Sequence, residues 1–185
     1  MIPLIIYLTI FLYLIYIIWI SEPLFSKKKS CSIKEYPYIS VIISARNESD
    51  NIDQLLKGLN QQSYPNNKFE IIIANDKSDD DTLEKLITLK NEIKNLKIIN
   101  IKKTKNNWSS KKWALNKCIE KATGEIILQT DADCSHTETW IESMIIPFEN
   151  DNTGFVSGPS YIGLHNNFVN ELLKLESIAQ ESFSY

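Results

Sequence analysis

The segment "EIILQTDAD", residues 125–133, ends an apolar run on two carboxylates, Asp131 and Asp133, separated by one alanine. Carboxylates at the mouth of a buried strand are costly unless something positive sits on them. In a turn the two side chains can converge on a cation. An all-oxygen donor pair suits a hard ion, Mg2+ or Mn2+, rather than zinc. An ion held by one or two carboxylates shares its other positions with water and substrate phosphate, and it offsets the charge growing on a diphosphate leaving group. Read alone, the tripeptide also fits a pair of solvated turn aspartates or a cap for a helix near Thr137.

Three further residues stand where chemistry is possible. Asp76 follows the apolar run "FEIIIAN", where it serves either as a turn residue or as an acceptor for a base imide N–H or a ribose hydroxyl. Glu48 follows "YISVIISARN" and is either a first-turn acid favoured by a helix dipole or part of the same pocket. Lys111 opens a helix-like stretch, as a solvated lysine or as a point charge for phosphate. His136 and His165 are isolated in sequence, and Trp108 lies in a polar loop, either packed or ready to stack on a sugar or base.

The elements that must position these residues alternate in type. Strands are predicted over 38–45, 69–75, 96–101, 125–130 and 154–158. A first helix carries Ile52, Leu55, Leu56 and Leu59 inward, with Ser49 or Asp50 as N-cap. A second opens at Ser78 with Asp81 three residues on, and its inner stripe is Leu83, Leu86, Ile87, Lys90 and Ile93. A third carries Trp113, Ala114, Leu115, Cys118 and Ile119 and ends at Gly124. "ETWIESMIIPF" reads as a fourth and "NFVNELLKLESIAQESFSY" as an amphipathic last helix. Strand–helix alternation predicts an α/β fold with a mainly parallel sheet covered on both faces. Ligands of such sheets bind at the carboxyl ends of the strands. Three carboxylate-bearing turns fall there: Arg46-Asn47-Glu48, Asn75-Asp76 and Asp131-Ala132-Asp133.

The first twenty residues, "MIPLIIYLTIFLYLIYIIWI", carry no charge. Twenty helical residues span about 30 Å, the hydrocarbon thickness of a bilayer, so residues 1–21 are predicted to form one transmembrane helix. Lys27, Lys28 and Lys29 follow, and the positive-inside bias puts the downstream part in the cytoplasm. Residues 22–37 read as a juxtamembrane linker and 38–185 as one domain. The expected location is therefore the cell membrane, with a single-pass anchor. The net charge of −3 gives no reason to expect nucleic acid, although Lys102, Lys103, Lys105, Lys111 and Lys112 cluster and would attract a small polyanion. Cys31, Cys118 and Cys134 lack metal-like spacing and read as free thiols.

Taken together, four segments resemble the large family of inverting nucleotide-sugar glycosyltransferases of family 2 type. "SVIISARNESDNIDQLLKGLNQQSYP" is similar to the family's opening strand and helix. "IIIANDKSDDDTLEKL" matches its acidic turn at Asp76, Ser78, Asp80 and Thr82. "SKKWALNKCIEKATGEIILQTDAD" matches at Lys111, Ala114, Leu115, Asn116, Gly124, Glu125, Asp131 and Asp133, and "FVSGPS" is similar to the strand that follows. The resemblance implies the Rossmann-like GT-A fold. It also implies donor-binding roles: Glu48 lining the nucleotide pocket, Asp76 on the base or ribose, Lys111 near the nucleotide sugar, Asp131 on ribose or in the metal shell, and Asp133 on a Mn2+ or Mg2+ ion that bridges the diphosphate. The donor is expected to be a nucleotide sugar, a UDP-sugar above all, and the acceptor a glycan or lipid-linked molecule. Ser44, Arg46 and Lys77 depart from the family's usual proline, aromatic or small residue, and glycine, and Lys112 and Trp113 replace smaller residues.

The family's acceptor-side general base lies beyond the D-x-D, typically in an acidic "E-D" motif, and no residue after Gly158 is assigned to it. The expectation is thus a C-terminally incomplete, donor-binding portion of a larger enzyme, its catalytic base unknown. Two alternatives are a non-catalytic membrane-tethered nucleotide-binding module and a haloacid-dehalogenase-type phosphatase. The latter uses the first aspartate of a D-x-D as nucleophile but gives no reason for Asp76 or "KKWALN".

Overall fold

Four of the apolar runs are β-rich, and two of them are nearly continuous, as strands covered on both faces must be. In a computed structural model, which describes residues 2–25, 33 and 35–158, they become β1 (Ile39–Ala45), β2 (Phe69–Asp76), β3 (Leu96–Ile101) and β4 (Ile126–Asp131). All four pair in parallel, in the order β3-β2-β1-β4. Between them lie α2 (Ile52–Asn60), α3 (Thr82–Lys90) and α4 (Ser110–Ile119), followed by α5 (Trp140–Ile145). The chain begins with α1 (Ile2–Phe25). Helix α1 and residues 35–154 belong to separate units.

Helix α1 lacks an amphipathic stripe, and its described side chains, Ile6 to Ile18, are all exposed. Among the described residues no helix is both long and apolar enough to cross a membrane, so the predicted transmembrane segment is without support there.

The central strands carry two cores. Ile39, Val41, Ile43 and Ala45 of β1, with Phe69, Ile71 and Ile73 of β2, pack with Ile52, Leu55, Leu56 and Leu59 of α2, Leu86 of α3 and Ile141 and Ile145 of α5. Ile42, Ile72 and Ala74 point to the other face, against Ala114 and Cys118 of α4. The order reverses at β1: the chain runs outward through β2 and β3, then α4 brings it back to the far side of β1 as β4. Such a reversal opens a crevice at the strands' carboxyl ends.

The amino edge is clamped by Glu70, which is 1% exposed. Its Oε1 accepts hydrogen bonds from Ser40 Oγ (2.7 Å), Thr123 N–H (2.8 Å) and Thr123 Oγ1 (2.8 Å). Lys97 Nζ lies on Oε2, which has no other partner among the described residues. Beside the clamp, Gly124 crosses β1 so closely that a Cβ would fall 2.4 Å from Ser40 N and 2.6 Å from the Ile39 carbonyl carbon. Only glycine fits there.

Four predicted details are corrected. Helix α3 turns its inner face by one residue: Thr82, Leu86, Leu89 and Ile93 face the core, while Ile87 is exposed. Asn51 and Asp81, not Ser49 or Ser78, precede the helices, and neither caps through its side chain. Helix α4 ends at Ile119, before Gly124, and Ile119 itself is exposed. Residues 153–158 form no strand: no β-partner pairs with them among the described residues, and Phe155 is exposed. The predicted last helix and His165 lie outside the described residues.

Candidate functional site

The loops after β1 and β2 are sewn together by short polar side chains. Asn47 N–H donates to Ser78 Oγ (3.0 Å), and Asn47 Oδ1 accepts from Asp79 N–H (2.8 Å). Glu48 N–H donates to Thr82 Oγ1 (2.8 Å) and Ser49 N–H to Asp80 Oδ2 (3.1 Å). Asp80 Oδ1 in turn accepts from the Thr82 hydroxyl and amide. Led by the Thr82 hydroxyl, these donors hold the Asp80 carboxyl down at about 2. Asn47 and Lys77 both sit in the left-handed region, at φ 56° and 54°. Asparagine tolerates that conformation, whereas a lysine there costs roughly 1–2 kcal/mol that its contacts must offset.

Those contacts lie on the α4 side of the rim. Asp76 is 2% exposed, and its Oδ1 is 3.2 Å from Lys77 Nζ, an ion pair without hydrogen-bond alignment. Lys77 Nζ also donates to Ser110 Oγ (2.8 Å), at the start of α4, and to Thr104 Oγ1 (2.5 Å), in the loop after β3. One ammonium thus ties the end of β2 to the approach of α4. Glycine would satisfy the backbone at residue 77 but could make none of these bonds. Next to Asp76, Asn75 is also buried; its Nδ2 donates to Asn100 Oδ1 (3.0 Å), and its own Oδ1 has no hydrogen-bond partner among the described residues.

Lys111, in the first turn of α4, places Nζ 2.7 Å from Asp131 Oδ1 at the end of β4. The pair sets a positive charge beside the carboxylate at the strand mouth. Lys111 and Asp131 are 57% and 49% exposed, so the pair adds little to stability and remains open to a ligand. Asp133 is exposed, its nearest described polar contact being Cys134 Sγ at 3.9 Å. Glu48 turns its carboxylate to Asn51 Nδ2 (2.7 Å). The five predicted site residues therefore lie along one edge of the sheet, Lys111 in the first turn of α4 and the others on loops or strand ends. The structure joins Lys111 to Asp131 directly, and it leaves Glu48, Asp76 and Asp133 with separate neighbours.

His136 is a packed residue: its Nε2 lies 3.0 Å from Thr130 Oγ1, and its ring stacks on Trp140 at 4.1 Å. Burial pushes its pKa below the usual histidine value. Trp108 packs edge-on against Trp113, ring centroids 5.5 Å apart, and stays 41% exposed. Cys118 is buried and its thiol is pushed up to about 11 by desolvation, while Cys134 is partly exposed; both are free. The Asn47–Asp80–Thr82 clasp and Lys77 were missed as a working unit by sequence reasoning. The signal was present in the run Ser78-Asp79-Asp80-Asp81-Thr82, whose short polar side chains lie within reach of the previous turn.

Comparison with known proteins bears on this edge. The profile of the family described as Glycosyl transferase family 2 matches residues 40–183. The chain is 29% identical over 122 residues to glycosyltransferase AglE of Haloferax volcanii, an alignment that covers 66% of this chain and 39% of that protein. It is 31% identical over 120 residues to the beta-monoglucosyldiacylglycerol synthase of Nostoc sp., covering 65% of this chain and 25% of that one. Two solved structures share the fold. The mannosyltransferase PcManGT from Pyrobaculum calidifontis, in complex with GDP-Man and Mn2+, aligns with a TM-score of 0.59 at 22% identity, over 83% of this chain and 44% of that one. S. aureus TarS 1-349 in complex with UDP-GlcNAc aligns with a TM-score of 0.53 at 24% identity, over 67% and 38%. The chain spans less than half the length of each of these four proteins. Its parallel sheet is that of a GT-A domain, and the chain belongs to glycosyl transferase family 2.

Proposed function

We propose that this chain is the donor-binding portion of a metal-assisted inverting glycosyltransferase, taking its sugar from a nucleoside diphosphate, most naturally a UDP-sugar. The Lys111–Asp131 pair beside the crevice at β1 carries the proposal, because it sets a cation and a carboxylate on the rim that receives ligands in this sheet class. Asp76, buried at the end of β2, would offer its carboxylate to the base or ribose, and Glu48 would line the same pocket. Lys111 has only a half-exposed carboxylate to leave, so it can transfer its charge to phosphate as the leaving group departs.

The donor set fits a hard divalent ion. Asp133 and Asp131 are oxygen ligands, and such ions commonly take one or two protein carboxylates and fill the rest with phosphate and water. Among the described residues no three His, Cys, Asp or Glu side chains gather as a ligand group, so the ion would depend on the donor for part of its shell. Bound Mn2+ or Mg2+ would supply charge neutralisation of the diphosphate. The complexes of PcManGT with GDP-Man and Mn2+ and of TarS with UDP-GlcNAc support this reading.

The displacement at the anomeric carbon inverts its configuration once a base takes the acceptor's proton. No residue of this chain is assigned to that step. An apolar anchor at residues 1–21, a linker at 22–37 and a cytoplasmic domain from residue 38 would bring activated sugars to a lipid-linked or exported acceptor. The likeness to a synthase named for its glucosyldiacylglycerol product supports a lipid acceptor. Family membership argues against the phosphatase alternative. The non-catalytic module is separated from an enzyme by donor hydrolysis.

The test is calorimetric titration of the full chain in detergent with UDP- and GDP-sugars, with and without Mn2+. Metal-dependent binding is expected, and Asp133→Ala should abolish the metal-dependent part. Binding indifferent to metal in the unaltered chain would overturn the proposal.

A further inference from the structure

Charge is segregated along this chain. Residues 102–121, the loop after β3 together with α4, hold seven lysines and one glutamate, a formal +6 in a protein whose total is −3. The remainder therefore carries −9. Lys102, Lys103, Lys105, Lys111, Lys112 and Lys121 are exposed. Lys111 alone of these six makes a described ion pair, with Asp131, and Lys117 is taken by Glu120. In their midst Trp108 stands 41% exposed, braced against Trp113, which lies beneath the Lys117 ammonium at 4.4 Å. The opposite face of α4 is closed by Ala114 and Cys118, which are fully buried in the core.

A diphosphate at Lys111 accounts for one or two of these charges. It accounts neither for the rest nor for a tryptophan held toward solvent by a second tryptophan. Lysines around an outward amphipathic ring match the chemistry of an anionic bilayer surface, where ammonium groups meet headgroup phosphates and indole settles at the interface.

We infer that the loop after β3 and the first turns of α4 form a docking surface for an anionic lipid bilayer. Residues 102–121 carry this surface whether or not α1 spans a membrane. The occupant is a membrane rather than a nucleic acid because the patch has one exposed aromatic and no row of stacking rings. Docking here would hold Lys111 and Asp131 close to the headgroup layer, where a lipid-borne acceptor is found.

The experiment is hydrogen exchange on the full chain in nanodiscs of phosphatidylcholine alone and of phosphatidylcholine mixed with phosphatidylglycerol. Any anchoring by α1 is common to both discs, so the difference between them reports the patch. Amides of residues 102–113 should exchange several-fold more slowly on anionic discs, and about 0.5 M salt should remove the difference by shrinking the screening length. The triple variant Lys102→Glu, Lys103→Glu, Lys105→Glu should remove it too, while amides of β1 and β2 keep their protection as a control on folding. Trp108→Ser should reduce the effect on anionic discs and change nothing on neutral ones. Equal exchange on the two discs, failure to associate with either, or protection by polyuridylate but not by anionic lipid would each overturn the inference.

Discussion

Glu70→Gln should destabilise the domain in a way that depends on pH. Burial alone pushes the Glu70 carboxyl up, but Lys97, Ser40 and the Thr123 amide and hydroxyl outweigh it and bring the group from 4.5 to about 2. Because the folded value lies below the unfolded one, the stabilisation is complete well above pH 4.5 and drains away as pH falls toward 2. Taken whole, that displacement corresponds to ~3 kcal/mol at neutral pH. Lys97 is 51% exposed and solvent screens its share, which brings the expected contribution to ~1–2 kcal/mol. For a contribution of that size, linkage leaves about one-fifth to two-fifths of it at pH 3.5. Glutamine keeps the shape and can still accept from Ser40 and Thr123, so the lost term is the charge. The assay is urea unfolding of the full chain in nonionic detergent, followed by tryptophan fluorescence at pH 7, 5 and 3.5. A wild-type advantage that is absent at pH 7, or unchanged at pH 3.5, would refute the electrostatic account of this clamp.

Gly124→Ala should cost ~1–3 kcal/mol or more, read as a fall in melting temperature, because its Cβ would meet the Ser40 and Ile39 backbone and β4 would have to shift. Lys111→Met should move stability by less than ~1 kcal/mol while weakening UDP binding in calorimetry, since the half-exposed pair with Asp131 is worth little to the fold. Lys77→Ala should be less stable than Lys77→Gly by ~1 kcal/mol in thermal melts, because both lose the contacts with Asp76, Thr104 and Ser110 but only alanine retains the left-handed strain. The wild-type chain should lose stability as pH falls below the usual histidine value, because neutral His136 is favoured when folded. His136→Phe should flatten that part of the urea-midpoint profile.

The strands were readable because β1 and β2 are buried on both sides, and burial on both sides writes itself as unbroken apolar runs. Helix α3 was misphased for the opposite reason. Its inward face is led by Thr82, whose hydroxyl is consumed by Asp80 and Glu48, so a polar residue sits where periodicity looks for an apolar one. The cap expected at Ser78 was misplaced because its Oγ accepts from Asn47 N–H in the neighbouring loop, a use that local spacing does not encode. In the site, residue types singled out the rim at the carboxyl ends of the strands, and the strand ends place those residues there. Pairing did not follow from sequence: Lys111 and Asp131 are twenty residues apart and meet only because α4 returns the chain to β4 beside β1. Lys77 stood out only as an odd residue in a glycine's place, and its three partners come from three different elements.

The seam between the turns after β1 and β2 is made from Asn, Ser, Thr and Asp, side chains with few rotors to freeze. Its ordering is completed when the chain folds, before any guest arrives. Association at this margin should accordingly resemble a key meeting a cut lock, with a modest heat-capacity change and a fast, single-step approach, instead of the slow moulding of a pliant mouth around its cargo.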